Sequence, residues 1–219
     1  MTDRELLNTI EFFKGFDGTP LDTVLAAAEQ RSFARGGVLF TENDAATELF
    51  VVVSGRIAIA NRSIDGRESV VALMERGDLL GEMPLFDGLA RSAEARALEP
   101  SDVIAIPYAP LRAIYSDQPE LLWNVVEMLA NRLRNTDEQL ADSVFLDVTG
   151  RTAKRLLELA GTADEFSLPI TQEELAGMVG ASRERVNKAI ASFVRLGWIE
   201  QSERRYRITN REQLELRAR

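Results

Sequence analysis

The sequence of 219 residues contains no cysteine and no histidine. Those two absences exclude disulfides, Cys-ligated clusters, His-ligated haem and conventional zinc sites. Ser-His and Cys-His nucleophilic catalysis fall with them, and the strand-like segments carry no Asp/Glu cluster at ligand spacing. The expectation is a non-enzyme without metal, haem or iron–sulfur cluster. Long apolar runs are missing too, and no stretch approaches the length of a membrane helix. The opening MTDRELLNTIEFF carries charges where a secretion signal needs apolar residues. A soluble cytoplasmic chain with no membrane partner is expected.

Positive charge is scarce overall: 26 Lys and Arg stand against 35 Asp and Glu, a net −9. The distribution is uneven, however. Residues 143–219 hold 13 basic and 11 acidic residues, a net +2, which leaves −11 for residues 1–142. Within 182–219 there are 10 basic residues and 5 acidic ones. An acidic front and a basic tail point to two domains with different partners. The 45% apolar content allows each to bury a core.

Residues 3–13 and 20–31 have helical spacing, the second stretch with Thr19 as cap and Pro20 at the first position. From Ser32 to about Pro107, short strand-like runs (GVLF, ELFVVVS, RIAIANR, ESVVALM, DVIAIP) alternate with turn signals at Gly36-Gly37, Gly55, Asp65-Gly66 and Gly77-Asp78. That is the pattern of an antiparallel sandwich or barrel. Pro84 interrupts it as the start of a single helical turn. A long helix is expected over about 119–143, with Leu122, Val126, Leu129, Leu133 and Leu140 in one stripe and Thr136 among them. Their spacing is that of a heptad seam, and a parallel two-stranded homodimer is the favoured reading. Packing of part of the helix on the chain's own barrel is the competing use. Asn131, Arg132 and Arg134 flank the stripe as polar surface. FLDVTGR reads as a hinge, with Thr149 placed to cap the next helix. Three helical segments (RTAKRLLELAG, QEELAGMVG, RERVNKAIASFVRLG) and a hairpin (WIEQSERRYRIT) follow.

Two stretches carry chemistry. GEMPLFDGLARSAEAR, residues 81–96, places a glycine, a carboxylate, an arginine and a hydroxyl close together. Those groups suit a sugar phosphate: bare backbone admits close approach, a guanidinium neutralises the anion, and a carboxylate takes a ribose hydroxyl. They equally suit a polar turn with a surface ion pair. In the tail, Thr171 and Glu174 form a Thr-x-x-Glu capping box. Ala176, Gly180 and Val186 fall where a helix-turn-helix needs a small contact, a tight turn and a core residue. Ser182 caps the third helix, whose first turns present Arg183, Glu184 and Lys188. Arg or Lys can bond guanine O6 and N7, and Glu can accept from cytosine N4. A Glu184–Lys188 ion pair on a solvated face is the bland alternative. With the basic hairpin bearing Arg204, Arg205 and Arg207, the tail reads as a winged helix-turn-helix for double-stranded DNA, its wing arginines on phosphate.

Read end to end, the chain resembles the cyclic AMP receptor (catabolite activator) branch of the CRP/FNR family of bacterial transcription regulators. The roll glycines, GEMPLF…ARSA, the long helix, FLDVTGR and TQEELAGMVGASRERVNKAI carry the resemblance, and VGASRE-VNKA is similar to the actinobacterial members. The resemblance implies an α+β chain: a cyclic-nucleotide-binding β-roll (double-stranded β-helix) over 1–118, a dimerisation helix and hinge over 119–145, and a winged helix-turn-helix over 146–219. It implies that Glu82 takes the ribose 2′-hydroxyl and Arg91 the cyclic phosphate. Ser92 adds its hydroxyl and amide, Gly81 lets the backbone close in, and Met83 lies in the same cassette. Ile59, Val71 and Leu73 or Met74 would line the apolar part of the pocket.

In the family's cyclic AMP sensors the long helix offers Thr-Ser to the base; here the pair is Thr136-Asp137. A carboxylate can accept from adenine's amino group or from guanine N1–H and N2–H2, so this departure leaves the nucleobase open. Lys188 stands where the best-known members have Arg. Arg185 stands where Thr is common, adding a phosphate contact. The implied function is an allosteric, cyclic AMP-responsive homodimer that reads TGTGA-like inverted repeats, half-sites about one helical turn apart. RNA polymerase is a further implied partner. A regulator of the same fold that ignores nucleotides, or answers to cyclic GMP, is the alternative.

Overall fold

The computed structural model describes residues 2–62, 68–168 and 170–219, with the side chains of 62 and 68 set aside. The turn expected at Asp65-Gly66 lies outside the described residues. The chain divides into two compact units: Met1–Gly66 with Val70–Leu133, and Arg134–Arg219 with Arg67–Ser69.

In the first unit, helices α1 (Asp3–Leu7) and α2 (Thr19–Ala27) precede strands β1 (Glu29–Phe33), β2 (Val38–Phe40), β3 (Glu48–Ser54), β4 (Ile57–Arg62), β5 (Glu68–Met74) and β6 (Leu79–Leu80). A one-turn helix α3 (Met83–Asp87), β7 (Glu94–Ala97), β8 (Ser101–Pro107), α4 (Tyr108–Asp117) and α5 (Leu122–Phe145) complete it, α5 running on into the second unit. The strands form two sheets, β1-β8-β3-β6 and β2-β7-β4-β5, antiparallel wherever the register is defined.

Side-chain alternation builds both cores at once. Phe50 and Val52 of β3 and Val103 and Ala105 of β8 point into the roll, where they meet Ile57, Leu80, Ala95 and Ala97. Their neighbours Leu49, Val51, Ile104 and Ile106 point the other way, onto a helical layer that includes Leu7, Phe12, Phe16, Leu21 and Leu111. The sheet β1-β8-β3-β6 is therefore buried on both faces, which explains the unbroken apolar run in ELFVVVS.

Local expectations change at the helices: the spacing read over 3–13 forms a helix only over Asp3–Leu7, with a separate 3-10 turn at Glu11–Phe13. The helical spacing read through residue 31 stops at Ala27, and Glu29–Phe33 instead pair with Ala105–Ser101 as β1. A ladder of hydrogen bonds on an existing sheet outweighs a few residues of helical periodicity. Gly18, with φ +61°, takes the cap position ahead of Thr19.

The second unit contains α6 (Val148–Ala160), β9 (Glu165–Ser167), α7 (Gln172–Val179), α8 (Arg183–Arg195), β10 (Ile199–Ser202), β11 (Arg205–Ile208) and α9 (Arg211–Arg217). The expected hairpin is β10-β11, and β9 joins it as a third strand. Ala153, Leu156, Leu175, Val186, Ile190, Phe193 and Leu214 are buried. The capping box on α7 forms reciprocally, Glu174 N–H donating to Thr171 Oγ1 (3.2 Å) and Thr171 N–H to the Glu174 carboxylate (2.6 Å). Gly180 ends α7 at φ +65°. Asp147, not Thr149, caps α6 by accepting from Gly150 N–H at 2.8 Å. The aspartate lies one position before the helix, where its carboxylate reaches the free N–H groups, whereas Thr149 is already inside the first turn.

Gly55 is the tightest backbone position joining the strands. Its φ is +80°, and an added Cβ would sit 2.5 Å from the Pro100 carbonyl oxygen and 2.7 Å from Ser101 Cα. Gly55→Ala is expected to cost about 1–3 kcal/mol through backbone crowding, read as a lower urea midpoint; an unchanged midpoint would show that the β3–β4 turn relaxes freely.

Candidate functional site

The cassette between β6 and β7 is shaped by three local features. Pro84 falls in the first turn of α3, Gly88 closes that helix in the left-handed conformation, and Gly81 precedes it at φ +78°. A Cβ on Gly81 would run into the Arg91 guanidinium. The loop after α3 then returns alongside the segment before β3: Arg91 N–H donates to Asp44 O (3.0 Å), and Arg91 O accepts from Asn43 N–H (2.9 Å).

That return carries the Arg91 side chain inside the roll, where the residue is 4% exposed. Nη1 donates to Gly81 O (2.8 Å) and to the Tyr108 hydroxyl (3.2 Å), and Nη2 to Glu48 O (2.7 Å). The Tyr108 hydroxyl itself donates to Gly81 O. The Phe40 ring lies across the guanidinium, its centroid 4.1 Å from Cζ. Nε is buried with no hydrogen-bond partner. Every group bonded to Arg91 is electrically neutral, so its charge stays available to an anion.

Glu82, 2% exposed, is the second buried charge. Its carboxylate accepts from Arg132 Nη1 at 2.5 Å, and Arg132 Nη2 donates to Leu79 O. Burial pushes the Glu82 carboxyl upward, against the pull of the Arg132 and Arg91 guanidinium groups. Arg132, expected as polar surface, instead ties α5 to the cassette. Nothing in the local pattern of a surface arginine marks a partner 50 residues away. Tyr108 and Phe40 were likewise missed, since an aromatic on a roll strand or at a helix start reads as core.

The remaining expected ligand residues are more dispersed. Ser92 and Met83 are exposed beside the buried pair, 3.9 Å apart at hydroxyl and sulfur. Ile59 and Met74 pack against the roll's inner cluster. Alternation along β5 puts Val71 and Leu73 on the face opposite Met74; Val71 is exposed and Leu73 half-buried. Thr136 and Asp137 are exposed on the C-terminal half of α5. The structure thus brings Gly81, Glu82 and Arg91 into one cluster.

α5 carries two apolar faces. Val125 and Met128 are buried in the unit's own core, with Leu122 packed against it. Val126, Leu129, Leu133 and Leu140 are 38–63% exposed. Leu122 therefore belongs to the barrel-facing side, and the free stripe begins at Val126.

In the second unit, Ser182 caps α8 by accepting from Arg185 N–H. Val186, Ala189, Ile190 and Phe193 are buried, while Arg183, Glu184, Arg185 and Lys188 are exposed. The Glu184–Lys188 pair forms at 2.7 Å and holds the Glu184 carboxyl below the usual range. Both side chains are about three-quarters exposed, and a solvated pair of this kind contributes little. It does not keep either from a stronger partner. The guanidinium groups of Arg183, Arg185 and Arg205 have no partner among the described residues. Arg204 is spent on the carbonyls of Leu168 and Ile170, bracing the wing against the segment before α7. Arg207 sits 3.4 and 3.7 Å from Glu165 and Glu200.

The raised Glu82 carboxyl has a definite sign in stability. The folded state keeps the proton at pH values where the unfolded chain has lost it, so the contribution is full below the ordinary carboxylate range and is lost as pH rises through the raised value. The urea midpoint of the native chain is expected to fall relative to that of Glu82→Gln as pH rises above the ordinary carboxylate range. Parallel curves would refute the assignment.

Comparison with known proteins agrees with this geometry. Residues 30–118 match the cyclic nucleotide-binding domain family, and residues 150–217 match the Crp-like helix-turn-helix domain. The chain is 36% identical to the CRP-like cAMP-activated global transcriptional regulator of Mycobacterium tuberculosis, over 98% of this chain and 99% of that protein. It is 33% identical to the cAMP-activated global transcriptional regulator Vfr of Pseudomonas aeruginosa, over 82% and 88%. The solved structure of the c-di-GMP responsive global regulator CLP of Xanthomonas campestris superimposes with a TM-score of 0.76 at 25% identity, covering 88% of this chain and 99% of that one. The relatives are transcription regulators and not enzymes, and no described helix is long and apolar enough to cross a membrane. The chain belongs to the CRP/FNR family of DNA-binding transcription regulators, joining a cyclic nucleotide-binding domain to a Crp-like helix-turn-helix.

Proposed function

We propose that this regulator is a cytoplasmic homodimer activated by cyclic AMP to bind TGTGA-like inverted repeats, with RNA polymerase as a further partner. Residues 1–118 bind the nucleotide, 119–145 dimerise, and 146–219 bind DNA. The observation that carries the reading is Arg91: a buried guanidinium bonded only to neutral groups, with Nε unpartnered, next to the buried Glu82. A built cation of this kind, behind a glycine that cannot bear a Cβ, fits a phosphate. The names of the mycobacterial and pseudomonad relatives support cyclic AMP.

A cyclic nucleotide supplies one anionic phosphate, a ribose 2′-hydroxyl and a purine edge. Arg91 and Ser92 would hold the phosphate, Glu82 would accept from the 2′-hydroxyl, and Gly81 and Met83 would border the sugar. Ile59, Val71 and Leu73 would flank the apolar part, and Thr136 and Asp137 would meet the base. Val126, Leu129, Leu133 and Leu140 would pair with a second copy. Ser182, Arg183, Glu184, Arg185 and Lys188 would enter the major groove, and Arg205, with Arg204 behind it, would face phosphate. The ligand acts by binding the DNA-competent state more tightly; a 100-fold response corresponds to about 2.7 kcal/mol of coupling.

Fluorescence anisotropy on a palindromic TGTGA–TCACA duplex, at one fixed salt concentration, tests the reading. Cyclic AMP is expected to tighten binding by about 100-fold, cyclic GMP and c-di-GMP by much less. Arg91→Ala is expected to abolish the response and leave nucleotide-free binding in place. Equal binding in all arms would replace the proposal with a constitutive DNA binder. Leu133→Glu is expected to convert the dimer to monomer in sedimentation; an unchanged mass would move the interface elsewhere.

A further inference from the structure

We propose that α9 is a neutralising strap: its Arg217 is a positioning residue that masks the Asp147 carboxylate from DNA phosphate, an inference that rests on α8 being the DNA-reading helix. α9 packs along α6, with Leu214 fully buried and Asn210 capping its start by accepting from Gln213 N–H at 3.2 Å. The two ends of α9 are tied to the two ends of α6. At the first, Arg211 donates to Asp164 Oδ1 (3.2 Å) and to the carbonyls of Gly161 (3.0 Å) and Ala163 (2.7 Å). At the other, Arg217 Nη2 donates to both carboxylate oxygens of Asp147, the residue that caps α6. The approach there is close, since a Cβ on Gly150 would sit 3.0 Å from the Arg217 carbonyl oxygen.

The place of Asp147 gives the second tie its consequence. Asp147 and Thr149 share a groove of about 250 Å³ with Arg185, Lys188 and Ser192 of α8, and among the described residues that line it Asp147 is the one acid. A helix seated in the major groove is flanked by backbone phosphate, so a duplex read by α8 carries phosphate past this groove. Arg185 and Lys188 attract it there, and a bare carboxylate would repel it. Asp147 is nevertheless needed, because it accepts from Gly150 N–H at 2.8 Å and so starts α6. That bond, with Arg217 beside it, holds the Asp147 carboxyl below the usual range, so the group is ionised at neutral pH. Arg217 cancels the charge and leaves the cap in place. The Asp147 side chain is 63% exposed and that of Arg217 32%. An ion pair this exposed contributes little to folding, so its effect falls on the charge that approaches the surface.

The test is binding of the full-length protein, with cyclic AMP present, to the palindromic duplex and to a scrambled one, at low and high salt. Arg217→Gln is expected to weaken binding by about 5- to 20-fold at low salt, and by less than about 2-fold once salt screens the carboxylate. The loss should be the same on both duplexes, because phosphate carries no sequence information. Arg217→Lys keeps a point charge beside Asp147 and is expected to stay within about 3-fold of the native chain. The decisive comparison is a double-mutant cycle. Asp147→Asn keeps a capping oxygen and removes the charge, so on that background Arg217→Gln is expected to change affinity by less than about 2-fold. A strap that only held α6 in place would give the same loss on both backgrounds. That result, or an Arg217→Gln chain that binds like the native one, overturns this proposal alone. A native chain that binds neither duplex overturns it together with the DNA-reading assignment.

Discussion

Inside the roll, the Arg91 guanidinium bonds to the carbonyls of Gly81 and Glu48 and to the Tyr108 hydroxyl, with the Phe40 ring across its face. A charge taken out of water is tolerated only where such partners replace the lost hydration. Much of the local architecture follows from that need. Gly81 must lack a Cβ, Tyr108 must start α4 with its hydroxyl turned inward, and β3 must present a free carbonyl at Glu48. The partners supply dipoles and a π face but no negative charge. The arrangement stabilises the cation without neutralising it, as a receptor for an anion requires.

Glu82 solves the opposite problem. A carboxylate 2% exposed needs a counter-ion, and Arg132 brings one from α5. The ion pair fastens the middle of the long helix to the cassette, while Val125 and Met128 fasten its first turns to the core behind. Removing Arg132 would strand the Glu82 carboxyl in the interior without its counter-ion, whereas the partly exposed Arg132 guanidinium keeps access to water. The cassette and the helix are thus energetically one object. The remaining apolar stripe of α5, Val126, Leu129, Leu133 and Leu140, is exposed.

The reading head divides its arginines by work. Arg204 is spent on main-chain carbonyls and Arg207 leans on two glutamates, while Arg183, Arg185 and Arg205 have no partner among the described residues. The capped start of α8 fixes where Arg183 and Glu184 emerge, and the buried face fixes the angle at which Lys188 follows. Specific recognition needs this rigidity, since a base-edge contact tolerates little error in the position of the helix.

How much of this the sequence determined depends on how local each cause is. The missing cysteines and histidines removed whole chemistries before any folding. The capping box at Thr171 and Glu174, the heptad stripe on α5 and the strand–turn rhythm of the roll act within a few residues, so they were legible. The Gly-Glu…Arg-Ser spacing marked suitable groups close together, and a polar turn fitted them equally until the resemblance of the whole chain was weighed. Tertiary structure alone decided the rest, where the cause lies far along the chain. Glu29–Phe33 became a strand because β8 was there to pair with it. Asp147 rather than Thr149 capped α6 because the turn placed its carboxylate over Gly150 N–H. Leu122 packs, partly buried, against the unit's own core. Arg132 left the surface for a carboxylate 50 residues away, and Arg91 turned inward to carbonyls brought to it by β3 and β6. Periodicity records which face of an element is apolar. It cannot record which distant charge or sheet edge that face will meet, because the meeting is created only by the fold.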